Sequence, residues 1–247
     1  MVNPQLSTPD VARVALITGG TRNIGLAIAE ALGSLGFRII VVYRTDTVQA
    51  ETATRRLAAL GVAARAVRAD VADEADVHRL FDGIRSAEGR LDVLVNNVGD
   101  FLWKPLDKTT LGEWEDILRS NLTSAFLCTK ASLPLLRVRG GQIISIASMH
   151  AETLRAVPNT LPYAIAKCGL VLLTKSLAKS EAQHGIRANA VCPGFVDGGA
   201  TQVDPATIPL GRPASPAEIA SVVRFLATED AAYVTGTVIN VHGGALL

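Results

Sequence analysis

The 247-residue sequence predicts a single-domain α/β protein built on a doubly wound, seven-stranded parallel sheet. Three observations predict it. Short β-branched and apolar runs alternate with amphipathic stretches of helical period along the chain. The runs are apolar nearly throughout, as strands covered on both faces require. Gly36, Gly61, Gly89 and Gly185 each follow a helical stretch, where a glycine closes a helix C-terminus.

Taken in order, the strands are predicted at Val14–Thr18, Arg38–Tyr43, Ala64–Ala69, Val93–Asn96, Gln142–Ala147, Arg187–Cys192 and Val238–Val241. Helices are predicted at Ile24–Leu35, Val48–Leu60, Glu74–Ser86, Leu111–Leu136, Tyr163–His184 and Pro216–Ala227. Strict alternation implies right-handed crossovers and a Rossmann arrangement. No internal repeat, low-complexity tract or linker interrupts it. Residues 1–10 read as a flexible polar leader, carrying Pro4 and Pro9 but neither a basic start nor an apolar core segment. Residues 11–247 read as one domain. Its Gly- and Pro-rich stretch 194–212 breaks the pattern after a strand and is expected to be a mobile substrate loop.

Composition narrows the function. The chain is 49% hydrophobic, 19% charged and 4% aromatic, a well-packed aliphatic globule. A net charge of +1 gives no basic surface to drive nucleic-acid binding. Cys128, Cys168 and Cys192 are far apart, with no CxxC pair or Cys/His cluster, so neither a disulfide framework nor a metal site is supported. Buried thiols in a reducing cytoplasm are expected. The longest apolar runs, such as Ile39 to Tyr43, have strand length and fall short of a membrane span.

Two constellations carry chemistry. The turn Thr18-Gly19-Gly20-Thr21-Arg22-Asn23-Ile24-Gly25 follows the first strand and opens the first helix. Glycines there let backbone N–H groups and the positive end of the helix dipole approach a pyrophosphate. Asn23 stands among them because Asn tolerates positive φ better than most residues. Downstream, Tyr163 and Lys167 lie one helical turn apart on one face. A cation beside a phenol is expected to lower a pKa that starts near ~10, giving a proton donor usable near neutral pH.

With these residues in place, the chain resembles the short-chain dehydrogenase/reductase family over Val11 to Leu247. The family's TGxxxGxG turn falls on Thr18 to Gly25, with Asn23 where its middle glycine usually is. In that respect the turn is similar to that of the pteridine reductases. The resemblance implies a nicotinamide cofactor held by Gly19, Thr21, Arg22, Asn23 and Ile24. It places Asp70 and Val71 at the adenine, and Asn97 and Gly99 of Asn96-Asn97-Val98-Gly99 beside the cofactor. Pro193, Gly194 and Val196 would lie at the nicotinamide, with Tyr163 and Lys167 also touching the cofactor. Strand two ends Val42-Tyr43-Arg44-Thr45 without the acid that holds a ribose 2′-OH in NAD binders, and Asp46 falls in the loop. Arg44 and Arg22 are instead positioned to clamp a 2′-phosphate, so NADP(H) is the expected cofactor.

By the same resemblance, Tyr163 gives a proton to a carbonyl oxygen and Lys167 lowers its pKa and holds ribose hydroxyls. Ser148 hydrogen-bonds the substrate oxygen, and Asn121 supports a water relay to the lysine. Ser145 is a neighbour that strand alternation does not separate from Ser148; the resemblance selects Ser148. The implied activity is NADPH-dependent reduction of a ketone or 3-oxoacyl thioester. The alternatives are a pteridine C=N reductase, disfavoured because that group usually carries Asp at the Ser148 position, and a non-catalytic NADP-binding regulator. An enoyl reductase would space Tyr and Lys more widely. His150, Glu152 and Arg155, in a long approach from Ser148 to Tyr163, are candidate specificity residues. Gly198 occupies the place of a common family threonine, for which Thr201 is the nearby substitute, and His242 that of a frequent acid. The resemblance also implies a homotetramer pairing the helices Leu111–Leu136 and Tyr163–His184.

Overall fold

The computed structural model describes residues 12–153, 155–201 and 203–246; the leader 1–10 lies outside the described residues. Seven strands form one sheet: β1 (Val14–Thr18), β2 (Arg38–Tyr43), β3 (Ala64–Arg68), β4 (Val93–Asn96), β5 (Gly141–Ile146), β6 (Ile186–Pro193) and β7 (Val238–Val241). Every neighbouring pair is parallel, in the order β3-β2-β1-β4-β5-β6-β7. The helices are α1 (Asn23–Gly33), α2 (Thr47–Ala59), α3 (Glu74–Glu88), α4 (Leu111–Leu118), α5 (Ser124–Leu136), α6 (Leu161–Glu181) and α7 (Pro216–Leu226).

The two-residue period of the strands splits the core in two. Ala15 and Ile17 pack with α1, α2 and α7, while Val14 and Leu16 pack with α3, α5 and the end of α6. Leu16 and Ile17 are completely shielded on opposite faces. Such a side chain taken from water contributes about 1.5–3 kcal/mol, which is why these runs read as continuously apolar.

Helix ends follow local side-chain chemistry. Asp46 caps α2 by accepting from Gln49 N at 2.9 Å, and Asp73 caps α3 by accepting from Asp76 N at 2.9 Å. Thr110 with Glu113 and Ser215 with Glu218 form capping boxes on α4 and α7. The N-terminus of α1 has no side-chain cap and no acid in its first turn.

The helix expected over Leu111–Leu136 spans those residues but is widened by a π-helical turn at Arg119–Thr123, which divides it into α4 and α5. Asn121 Nδ2 donates to Ile117 O at 3.0 Å, the carbonyl that a regular α-helix gives to the Asn121 backbone N–H. The backbone widens by one residue there, and such bulges gather at functional sites. The other long prediction, Tyr163–His184, starts two residues earlier and ends in a short 3₁₀ segment, Ala182–His184.

The chain winds outward from β1 to β3 and then back past β1 to β4. The C-terminal ends of β1 and β4 therefore flank the switch in winding, where open α/β sheets form their ligand crevice.

Candidate active site

The glycine turn sits at this switch. Gly19 has φ of 63° and Asn23 φ of 44°, so Asn23 occupies the left-handed region expected for the residue replacing a glycine. A Cβ on Gly20 would lie 2.8 Å from Val41 Cγ1, and one on Gly25 2.3 Å from Gly19 O. Thr18, 2% exposed, staples the turn to β4: its Oγ1 donates to Val95 O and accepts from Asn97 N at 2.9 Å. Asn97 Nδ2 donates to Thr18 O at 2.9 Å and to Gly19 O at 3.2 Å. The Asn97 amide thus fixes the shape of the turn. With no cap on α1, its first N–H groups are left for an anion.

The neighbouring loops carry the residues expected around an adenosine. Arg22 and Arg44 are both exposed. Asp46 closes the loop as the α2 cap, and Gln49 Nε2 ties α2 back to the buried Thr21 by donating to Thr21 O at 3.0 Å. Asp70 Oδ1 accepts from Ala72 N at 3.0 Å and its Oδ2 faces Arg119 at 3.5 Å. Val71 is buried in the core beside α3.

Across the switch, Ser148 follows β5, and Tyr163 and Lys167 project from the first turns of α6. Lys167 is buried, its Nζ donating to Ile146 O at 2.9 Å and lying 5.6 Å from the centre of the Tyr163 ring. Gly99 closes this corner. A Cβ there would lie 2.2 Å from Asn121 Oδ1 and 3.1 Å from Lys167 Nζ, so only glycine lets both groups approach the strand end. Asn121 is held by Nδ2 bonds to Asp100 O and Ile117 O, and its buried Oδ1 has no partner among the described residues. Ser145 is sequestered in the core, accepting from Thr174 Oγ1 at 2.9 Å. Its hydroxyl is therefore separated from that of Ser148 by place, which strand alternation alone left open.

The electrostatics correct one expectation. Burial pushes the Tyr163 phenol up, opposed by a hydrogen bond with Ser148, and the same burial pushes Lys167 down to about 8. Burial is the larger effect at the phenol, and the same burial makes the Lys167 ammonium costly to charge, so the phenol stays above its ordinary range.

A cavity of about 850 Å³ brings these groups together. Ser148, Tyr163 and Lys167 line it, as do Ile24, Asn97 and Gly99. Pro193, Gly194 and Val196 form another side; a Cβ on Gly194 would lie 2.7 Å from His242 Cβ. Gly19, Thr21, Arg22, Asn23, Arg44, Asp70, Val71 and Asn121 do not line this cavity; Asn121 stands directly behind Gly99. His150, Arg155 and Thr201 do line it. Glu152 does not: it is exposed and pairs with Lys175 of α6 at 3.2 Å, which removes it as a candidate specificity residue.

Sequence reasoning missed Phe101 and Trp103, which form an aromatic wall of the cavity. Phe101 meets Tyr163 edge-on at 5.1 Å and Trp103 at 6.4 Å. Their alternation at positions 101 and 103, shortly after Asn96-Asn97-Val98-Gly99, was the available signal. The stretch 194–212 is irregular yet anchored: Asn23 Nδ2 donates to Gly198 O at 2.8 Å, and Leu210 N to Gly243 O at 3.1 Å.

The family model described as enoyl-(acyl carrier protein) reductase matches residues 19–245. A 3-oxoacyl-[acyl-carrier-protein] reductase from Synechocystis is 39% identical, the match covering 96% of this chain and 98% of that one. The chain belongs to the short-chain dehydrogenase/reductase family. Another relative in this family, 3beta-hydroxysteroid dehydrogenase 1 from Eggerthella lenta, is 34% identical over 95% of this chain and 94% of its own. An actinorhodin polyketide ketoreductase crystallised with NADPH superposes with a TM-score of 0.89 at 34% identity, covering 97% of this chain and 99% of that one. This short-chain dehydrogenase/reductase is thus an oxidoreductase on the family's seven-stranded scaffold.

Proposed function

We propose that the protein reduces a carbonyl, a ketone or a 3-oxoacyl thioester, to an alcohol with NADPH, Tyr163 being the general acid. The observation that carries this reading is the convergence of Ser148, Tyr163 and Lys167 on one cavity at the sheet's switch point. When bound, a nicotinamide dinucleotide supplies the hydride. A side chain at Gly20 or Gly25 would collide with Val41 or with Gly19 O, so these glycines hold the tight turn that presents the uncapped α1 terminus to the pyrophosphate of the dinucleotide. Thr21, Asn23 and Ile24 continue that turn, and Asp70 and Val71, in the turn that follows β3, are assigned to the adenine side. Pro193, Gly194 and Val196 border the nicotinamide end of the same site.

Tyr163 holds its proton firmly because burial favours the neutral phenol. Ser148, bonded to that phenol, is placed to donate to the same substrate oxygen and stabilise its developing negative charge. Lys167, held by Ile146 O, orients ribose hydroxyls. The unpaired Oδ1 of Asn121 behind Gly99 supports a role in relaying a proton through water to the lysine. Three residues between Tyr163 and Lys167 favour carbonyl over enoyl reduction. A panel of ketones and oxoacyl thioesters, run with NADPH and NADH, tests the activity; absence of turnover on every carbonyl despite NADPH binding would favour a regulator.

Arg22 and Arg44 flank the adenosine side without an acid at the strand end. Arg44→Ala is expected to weaken NADPH by ~10–100-fold, the worth of a charge-assisted phosphate contact, with a much smaller effect on NADH. Equal loss for both, measured by fluorescence titration, would reject NADP preference.

Much of helix α6 is left uncovered among the described residues. Ile165 and Leu172 on α6, with Leu111 on α4 and Phe126 on α5, are exposed. These faces support a homotetramer in which such helices pair between copies, and light scattering of a monomer would reject it. The free thiols of Cys128, Cys168 and Cys192 accord with a cytoplasmic setting.

A further inference from the structure

The substrate mouth has a charge pattern that the carbonyl chemistry does not use. Among the described residues lining the cavity, Arg155, His150 and Lys167 are basic and none is a carboxylate. Lys167 is committed to Ile146 O. Arg155 is exposed at the rim and has no ion-pair partner among the described residues. His150 sits in the tight turn after Ser148, closed by Ala151 N donating to Ser148 O at 2.9 Å and fastened by Met149 N donating to Pro193 O at 3.0 Å.

The imidazole environment is equally unbalanced. The groups acting electrostatically on His150 are Arg155 and His242, both basic, and together with burial they lower its pKa. His150 Nδ1 and His242 Nδ1 are both buried without a partner among the described residues. His150 and Arg155 both line the cavity with no carboxylate beside them among the described lining residues, so this part of its wall is suited to an anionic acceptor.

We propose that Arg155 and His150 bind a carboxylate of the substrate, making the preferred substrate a short oxo acid whose carboxylate lies a few carbons from the reacting carbonyl. The proposal rests on the carbonyl-reductase reading above and narrows its substrate class. His150 is two residues beyond Ser148 in one closed turn, so an anion at His150 must lie close to a carbonyl at Ser148. The phosphate of a pantetheine thioester is separated from its carbonyl by the whole pantetheine arm and does not meet that requirement. Phe101 and Trp103 on the other wall suit the apolar end of the molecule.

The test compares matched acids and esters, 3-oxobutanoate and 2-oxopentanoate with their methyl esters, beside the 3-oxobutanoyl thioester of pantetheine. Wild-type enzyme is expected to prefer each acid by about tenfold or more in kcat/KM, and Arg155→Gln to lose about tenfold of that preference, chiefly through KM. His150→Asn is expected to shift the acid-to-ester ratio in the same direction. Equal kcat/KM for acid and ester, a preference unchanged in both variants, or a thioester that outperforms the acids would overturn the assignment. Ligand-observed NMR with 2-oxopentanoate and its ester separates this from failure of the carbonyl-reductase reading. Carboxylate binding that weakens in Arg155→Gln supports the site even where no carbonyl turns over, and binding indifferent to charge or to the substitution refutes it. Thermal melts establish that the variants are folded.

Discussion

Tyr163→Phe is expected to lower turnover of any carbonyl substrate by ~10²–10⁴-fold while leaving cofactor affinity within a fewfold. The substitution keeps the ring, and with it the edge contact to Phe101 at 5.1 Å. It removes the one hydroxyl that shares a hydrogen bond with Ser148 in the cavity. The Ser148 hydroxyl remains and still donates to a substrate oxygen, so part of the electrostatic stabilisation survives without proton delivery. Because burial raises the phenol, the wild-type acid stays protonated through neutral pH, and the wild-type rate of reduction should not fall with phenol ionisation there. Single-turnover reduction and a separate NADPH titration check both halves. Activity within tenfold of wild type would place the proton donor elsewhere.

Gly25→Ala is expected to weaken NADPH binding by ~100-fold, the scale of penalty attached to a misplaced binding element. The new Cβ would lie 2.3 Å from Gly19 O and 2.8 Å from Asn97 Nδ2. The first of these atoms is backbone and cannot swing aside, so α1 or the turn must move. Alanine gains about 1 kcal/mol over glycine in a helix interior, whereas overpacking costs about 1–3 kcal/mol, so the clash outweighs the propensity gain. Gly83, inside α3 with open space around its Cβ position, provides the control. Gly83→Ala should raise the melting temperature and leave NADPH binding unaltered, whereas Gly25→Ala should lower both. Intact affinity in Gly25→Ala would mean that the turn is not the pyrophosphate site.

Much of this was legible along the chain because the signals are local. Continuous apolar runs report burial on both faces, and the seven predicted strands match the sheet to within about two residues at each end. Asn23 could be read as a left-handed residue from its type and its place between Gly20 and Gly25, and it has φ of 44°. Tyr163 and Lys167 share a helix face because their spacing is one turn.

The misreadings arose where a side chain far along the chain decides the outcome. The long predicted helix carries an unforeseen π-helical turn where Asn121 takes the Ile117 carbonyl and also reaches Asp100 O, and amphipathic periodicity does not encode that competition. The i,i+4 spacing of Tyr163 and Lys167 gives proximity but not burial, and burial raises the phenol and lowers the lysine. Glu152 was grouped with His150 and Arg155 by sequence nearness, whereas its contact with Lys175 directs it outward.

By itself, then, the sequence determined the parallel α/β scaffold, the glycine-rich turn after β1 and the one-turn spacing of Tyr163 and Lys167, since periodicity, φ tolerance and helical spacing are properties of neighbouring residues. Only the tertiary structure decided which of those residues share a cavity, that Ser148 rather than Ser145 reaches it, and that its mouth holds Arg155 and His150 without a facing acid among the described residues. Enclosure, dielectric and charge balance depend on segments distant in the chain, and folding alone sets them.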